Sequence, residues 1–324
     1  MTTTVWHLIG DIGGTNARFG FMRGDASDFE LIANYPVADY PQFEDALKQA
    51  MADARERPGL AGAPQQCCLA VAGPPHLETV SFTNSPWRFD RSLLQEHTGA
   101  TDIRIINDFA AVARALPALQ PKHLEQIGTG QPVAGAPRVA LGPGTGLGVA
   151  ALVECAHGTP TVISGEGGHV DFAPVTDVEA AVLKRLRARF GRVSIERLCC
   201  GDGMINTYQA LAEYRELPAV HTTPAAIGDA ATGREDPLAL ETMAMFFAIL
   251  GASAGNLALT FGALGGVYVA GGIAPRYIEA LRRSDFRARF LAKGRYADYL
   301  ATIPTYVVTH DNIGLLGAAL TLQD

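Results

Sequence analysis

The sequence predicts an α/β protein of about two domains. Strand-like apolar runs alternate with helical patterns along the chain. Its 324 residues are roughly twice the common domain length of about 150. One scheme, an apolar strand, a glycine turn with Thr and a second apolar strand, occurs at 8–22 and again at 140–153. Repetition at that distance points to a duplicated domain with a ligand between the copies rather than to a short-period array.

The elements follow from local patterning. Val5 to Ile9 and Ala17 to Met22 are apolar runs either side of a glycine turn. Phe43, Leu47, Ala50, Met51 and Ala54 recur at helical spacing, which predicts a helix over 41–55 with Pro41 near its start. Cys67 to Ala72 and Ile103 to Ile106 read as short buried strands, and a helix runs from Phe109 to Leu116. Residues 117–137 are rich in Pro and Gly with little apolar periodicity, so the crossing between domains is expected there. Val139 to Leu141 and Leu147 to Val153 repeat the strand–turn–strand scheme, and Asp177 is expected to cap a helix carrying Val178, Val182, Leu186 and Phe190. Asp236-Pro237 opens a long apolar helix, Pro suiting an early helical position. Val267 to Ala270 is a strand ending in Gly271-Gly272; Thr305 to Val308 is another, and Asp311 is expected to cap a C-terminal helix.

Composition removes several classes of function. With 48% hydrophobic and 18% charged residues, a sizeable core is available and global disorder is excluded. A net charge of −7 argues against binding a nucleic-acid backbone. The five cysteines, Cys67-Cys68, Cys155 and Cys199-Cys200, have no zinc-site spacing and do not suggest a disulfide framework. Cys199-Cys200 lies near enough to Glu196 to be a redox-sensitive neighbour. Thr242 to Pro275 contains no charged residue, yet Gly251, Ser253, Gly255 and Asn256 leave it little greasy surface, so a buried helix and strand are expected rather than a membrane span. The start, MTTTVWHLIGD, lacks a basic region and reaches Asp11 early, so no signal peptide is expected and cytoplasm is the default.

Three glycine turns and two polar clusters carry the chemistry. Gly10-Asp11-Ile12-Gly13-Gly14-Thr15 lies between two strands, where glycines let main-chain N–H groups approach a phosphate. It has no P-loop pattern, and an ordinary glycine hairpin is the alternative. Asp11 beside it suits Mg²⁺, held through water. Gly142 to Gly148, containing Gly144, Thr145 and Gly146, has four glycines and a Thr in seven residues and could wrap a di- or triphosphate. Gly271-Gly272 could admit a flat base. Asn107-Asp108 ends a strand and opens a helix, so an N-cap is one reading. Ser164 to Asp171 sets Glu166 and His169 among glycines, groups that read sugar hydroxyls; zinc is the competing reading, with too few ligands. Glu196 alone reads as a helix-start or surface carboxylate. The other histidines (His7, His76, His97, His123, His157, His221 and His310) read as surface or satisfied.

The ordered set GDIGGTNARFG, INDFAAVA, LGPGTGLG, SGEGGHVDFAP, ERLCCGDG, VAGGIAP and DNIGLLGAA resembles the bacterial ATP-dependent glucokinase family, and nearly the whole chain takes part. The SGEGGH segment and the lack of a zinc-binding Cys cluster separate it from the repressor/ORF/kinase branch. The resemblance implies a two-lobed actin-like ATPase (ribonuclease H-like) fold with a cleft between the lobes. The small domain would comprise 1–117 with 310–324 and the large one 118–309. It implies Asp108 as catalytic base, Asn107, Glu166, His169 and Glu196 as glucose ligands, Gly10 to Thr15 and Gly144 to Gly146 as the phosphate turns, and Gly271 and Gly272 bordering adenosine. ATP, Mg²⁺ and D-glucose are the implied ligands, in a cytosolic homodimer that binds neither nucleic acid nor membrane. A kinase for fructose or mannose, a non-catalytic sugar-responsive regulator and a filament former are the alternatives. Closure of the lobes would keep water from the phosphate.

Overall fold

The computed structural model describes residues 5–24, 28–82, 85–155 and 159–323; His157 and the first four residues of the N-terminal stretch lie outside them. The chain divides into two compact units, Met1–Leu119 with His310–Asp324, and Gln120–Thr309. The boundary falls two residues beyond position 117, within the Pro- and Gly-rich segment.

The first unit opens with β1 (Trp6–Ile12), β2 (Asn16–Arg23) and β3 (Phe29–Pro36), an antiparallel meander. Helix α1 (Phe43–Arg55) leads to β4 (Gln66–Val71), and a hairpin of β5 (Thr79–Phe82) and β6 (Ser85–Asp90) leads through α2 (Arg91–Thr98) to β7 (Asp102–Asn107) and α3 (Asp108–Ala115). The sheet order is β3-β2-β1-β4-β7, with β1, β4 and β7 parallel. One face is filled by Trp6, Phe19, Phe43, Leu47, Trp87 and Phe89 with α1, all essentially buried.

The second unit repeats this order. β8 (Leu124–Ile127), β9 (Arg138–Pro143), β10 (Leu147–Val153) and β11 (Thr161–Gly165) are followed by α4 (Asp177–Phe190), α5 (Gly201–Arg215), α6 (Pro224–Gly233) and α7 (Pro237–Phe261). β12 (Val267–Val269), four short helices, α8 (Ile273–Arg276), α9 (Ile278–Arg283), α10 (Phe286–Leu291) and α11 (Ala297–Ala301), and β13 (Thr305–Val308) complete it. The sheet runs β11-β10-β9-β12-β13-β8, the order of the first sheet with β8 added antiparallel at one edge. The segment expected only to cross between domains thus supplies an edge strand.

Helix α7 is long and apolar enough to cross a membrane by length and composition, but Met243, Phe246, Phe247, Leu250 and Ala254 pack into the core of the second unit. Asp236 caps it, accepting from Leu238 N at 2.8 Å. Gly251 and Gly255 let α10 approach, since a Cβ there would meet Phe286 O and Phe290 O at 2.0 and 2.5 Å. Two expected caps are corrected. Thr176, not Asp177, caps α4, its hydroxyl accepting from Glu179 N at 3.2 Å; Asp177 is the first helical residue. The chain returns to the first unit as α12 (Ile313–Thr321), preceded by Asn312 rather than capped by Asp311. Leu315, Ala318 and Ala319 of α12 cover Ile9, Met22 and Cys68 on the sheet's other face.

All five cysteines are free and only Cys155 is exposed. A redox role for Cys199-Cys200 is not supported. Burial pushes the Cys200 thiol up to about 11, and its sulfur accepts from Gly203 N at 3.3 Å to cap α5. Only the thiolate reacts, so a chromogenic disulfide at pH 8 is expected to titrate Cys155 alone in the native protein and all five thiols after unfolding; rapid native reaction of a second thiol would contradict this burial.

Candidate active site

In open α/β sheets ligands gather beyond the carboxyl ends of parallel strands, and both units present chemistry there. In the first, Ile12, Val71 and Asn107 pair across β1, β4 and β7, so the turn after β1 and the Asn107-Asp108 step leave the sheet at one level. Gly13 N donates to Asn16 O at 2.9 Å, closing the turn; Gly13 and Gly14 are half-buried and Thr15 is exposed. Gly10 and Ile12 have a different place from the turn glycines. A Cβ on Gly10 would meet Leu69 Cδ2 at 2.5 Å, and the Ile12 side chain is wholly in the core. They contribute backbone and packing.

Asp11 is largely buried, and loss of water raises its pKa; Arg18, at 3.3 Å, opposes that rise. The α12 backbone presses on it, for a Cβ at Gly314 would lie 2.6 Å from Asp11 Cγ. Local patterning singles out neither Arg18 nor Gly314. Their relation to Asp11 lies in strand register and in the return of a distant helix, although the Arg sits within the GGTNAR motif. No group of three or more His, Cys, Asp or Glu stands together among the described residues. One buried carboxylate with a single cationic neighbour fits a divalent ion held through its own water rather than a cage of protein ligands.

Asn107 serves as the N-cap, its Oδ1 accepting from Phe109 N and Ala110 N at 3.0 and 3.1 Å. Its amide NH₂ remains to donate elsewhere. Asp108 is the first residue of α3 and half-buried; its Oδ1 accepts from Phe109 N at 2.8 Å. Loss of an N-cap costs about 1 kcal/mol. Asn107→Ala is therefore expected to lower stability by that amount, with Asn107→Asp retaining it, as chemical denaturation would measure; an Ala variant of unchanged stability would argue against the cap.

In the second unit the turn after β9 is tied down on three sides. Gly144 N donates to Gly146 O at 2.8 Å, Gly201 N donates to Gly144 O at 2.9 Å, and Leu147 N donates to Glu196 Oε2 at 2.9 Å. Thr145 is exposed at its tip. Gly271 has φ +83°, a left-handed conformation that favours glycine, and a Cβ there would lie 2.6 Å from Pro143 O. The third glycine turn therefore abuts the second, while Gly272 faces open space.

His169 ends a 3-10 turn, Gly167–His169, and its Nε2 lies 3.8 Å from Glu196 Oε1. The glycines before it are needed for closeness, since a Cβ on Gly168 would meet Leu147 O at 2.2 Å. Glu166 precedes this turn with its side chain exposed; its carbonyl accepts from His169 N at 3.0 Å. Glu196, in the 3-10 turn Ile195–Arg197, is no ordinary surface carboxylate: it meets a backbone donor 49 residues away. Of the histidines read as surface or satisfied, His97 lies 3.1 Å from Glu44 and His221 3.4 Å from Asp236.

Two units that share a five-strand sheet order, with a glycine turn after the corresponding strands β1 and β9, define a protein of the actin-like ATPase fold. The glucokinase family model matches residues 8–324. The glucokinase of Hahella chejuensis is 44% identical over 324 residues, covering 100% of this chain and 99% of its own. That of Marinobacter nauticus is 44% identical over 322 residues, covering 99% and 98%. The crystal structure of a glucokinase from an Antarctic psychrotroph superposes with a TM-score of 0.83 at 37% identity, covering 98% of each chain. The chain belongs to the glucokinase family, and it is an enzyme, a kinase that uses ATP.

Proposed function

We propose that this enzyme transfers the γ-phosphoryl group of ATP to the 6-hydroxyl of D-glucose, giving glucose 6-phosphate and ADP, the opening step of glycolysis. The observation that carries this reading is Glu196, one oxygen 2.9 Å from the main-chain N–H of a glycine turn and the other 3.8 Å from the His169 imidazole. Sugar-reading groups and a phosphate-sized backbone turn thereby share one cluster.

A primary alcohol is a weak nucleophile at pH 7. Asp108 accepts the O6 proton as O6 bonds to the γ-phosphorus and the bond from that phosphorus to the ADP oxygen breaks. Asn107 donates its free amide hydrogens to the sugar, while Glu166, His169 and Glu196 fix the remaining hydroxyls in direction. Gly14 and Thr15, with Thr145 and Gly146, offer main-chain and hydroxyl donors to the phosphates, while Gly13 closes the first turn through its N–H to Asn16 O; Gly271 and Gly272 leave room for adenosine. Asp11 would hold Mg²⁺ through water, the ion supplying positive charge against the phosphates when bound. The two units are the small and large domains, and the working enzyme is a cytoplasmic homodimer.

The test is ADP release, coupled to NADH oxidation, across glucose, fructose and mannose with ATP, GTP and polyphosphate as donors. Glucose with ATP is expected to give the highest kcat/KM. Turnover favouring another hexose would reassign the substrate, and sugar-independent ADP release equal to the sugar-stimulated rate would dismiss the reading.

A further inference from the structure

Glu196 connects the two ligand sets within the second unit. Its Oε2 accepts the Leu147 N–H at 2.9 Å, at the exit of the Gly144–Gly146 turn, while its Oε1 faces His169 Nε2 at 3.8 Å. The segment carrying it is fixed at both ends. Ile195 N donates to Val170 O at 3.0 Å, one residue beyond His169, and Gly201 N donates to Gly144 O at 2.9 Å, inside the turn. The contact is also sterically tight: a Cβ on Gly146 would lie 2.7 Å from Glu196 Oε2. Gly146 is not among the glycines with positive φ, so its lack of a side chain serves this approach rather than an unusual backbone conformation.

We infer that Glu196 is a positioning residue for the nucleotide turn as well as a sugar ligand, and that its two oxygens make sugar and nucleotide binding interdependent. The inference rests on the proposed reading of the turn as a phosphate site and of His169 and Glu196 as sugar ligands. A hydroxyl donating to Oε1 fixes the carboxylate in the plane that Leu147 N–H requires, and this orders Gly144 to Gly146 before phosphate arrives. A phosphate that orders the turn fixes the carboxylate for the sugar in return. Such coupling is reciprocal by thermodynamic necessity.

The experiment is calorimetric titration of the full-length protein with glucose alone, with AMPPNP and Mg²⁺ alone, and with each in the presence of the other. A hydrogen bond to a charged group corresponds to about tenfold or more in affinity. Glu196→Ala is therefore expected to weaken AMPPNP about tenfold in the absence of sugar and to abolish the dependence of each ligand on the other. Glu196→Gln keeps an acceptor for Leu147 N–H, so it should restore AMPPNP affinity to within about twofold while glucose stays weakened. His169→Ala should weaken glucose only. Gly146→Ala pushes the flexible carboxylate aside without straining the backbone, and it is expected to weaken glucose roughly fivefold with no nucleotide present, within the usual range of coupling between sites. A simple phosphate turn would show no such loss. Unchanged AMPPNP affinity in Glu196→Ala with weakened glucose would overturn the coupling and leave the sugar site standing. If Glu196→Ala does not fold, unchanged glucose affinity in Gly146→Ala overturns it instead. Failure of the unaltered protein to bind either ligand would remove the underlying functional reading, and the coupling with it.

Discussion

Replacing Asp108 with Ala is expected to lower kcat by about 10²–10⁴-fold, the range that a positioned general base contributes, with only a modest rise in the KM for glucose. The split between the two constants is the informative part. If Asp108 merely held the sugar, KM would carry the loss, because the other proposed sugar ligands, Asn107, Glu166, His169 and Glu196, would remain to orient the ring. If it takes the O6 proton, its contribution appears only as the O–P bond forms, and kcat falls. Asp108→Asn separates position from proton transfer further. The amide keeps an acceptor for Phe109 N, which Asp108 now meets at 2.8 Å, but it has no lone pair basic enough to receive the proton. Both variants should fold, since α3 is capped by Asn107. Turnover within a few-fold of the parent in either variant would dismiss Asp108 as the base.

What is legible in the sequence follows from where the constraint lies. Strands buried on both faces, β1, β4, β9 and β12, announce themselves as short apolar runs, and glycine turns between them mark where backbone must come close. Edge strands are different. β3 and β11 are each paired on one side and largely exposed, so their residues alternate weakly, and β8 hides inside a Pro- and Gly-rich stretch for the same reason. The cap of α4 falls one residue from its expected place because Thr176 and Asp177 are both good capping types and only backbone geometry decides between them. In the site, Asp108 and the glycine turns are visible as local motifs. Neither the Glu196–Leu147 bond nor the approach of Gly314 to Asp11 leaves a local signature, because each joins segments far apart in the chain. Without the resemblance, Glu196 reads as one more surface carboxylate.

The same long-range closeness makes Gly317→Ala the most damaging small change expected in the first unit. In an unobstructed helix interior Ala is favoured over Gly by about 1 kcal/mol, so propensity alone predicts stabilisation. At Gly317, however, a Cβ would lie 1.9 Å from Ala111 O, 2.4 Å from its carbonyl carbon and 2.7 Å from its Cα. All three are backbone atoms of α3, and no side-chain rotation relieves the overlap. The two helices must separate, opening the packing of Leu315, Ala318 and Ala319 over Ile9 and Cys68. Overpacking commonly costs about 1–3 kcal/mol and sometimes more, and with both partners rigid the net loss here is expected near the upper end, about 3 kcal/mol, or roughly 5 °C in Tm for a chain of 324 residues. Because α3 begins at Asp108, its displacement should also lower kcat in the protein that remains folded, which distinguishes this variant from a remote destabilising one. Differential scanning calorimetry with steady-state kinetics below the transition measures both effects. A Gly317→Ala enzyme with Tm at or above the parent's would mean that α12 and α3 do not cross at this distance, and that the helix propensity of Ala outweighs any crowding between them.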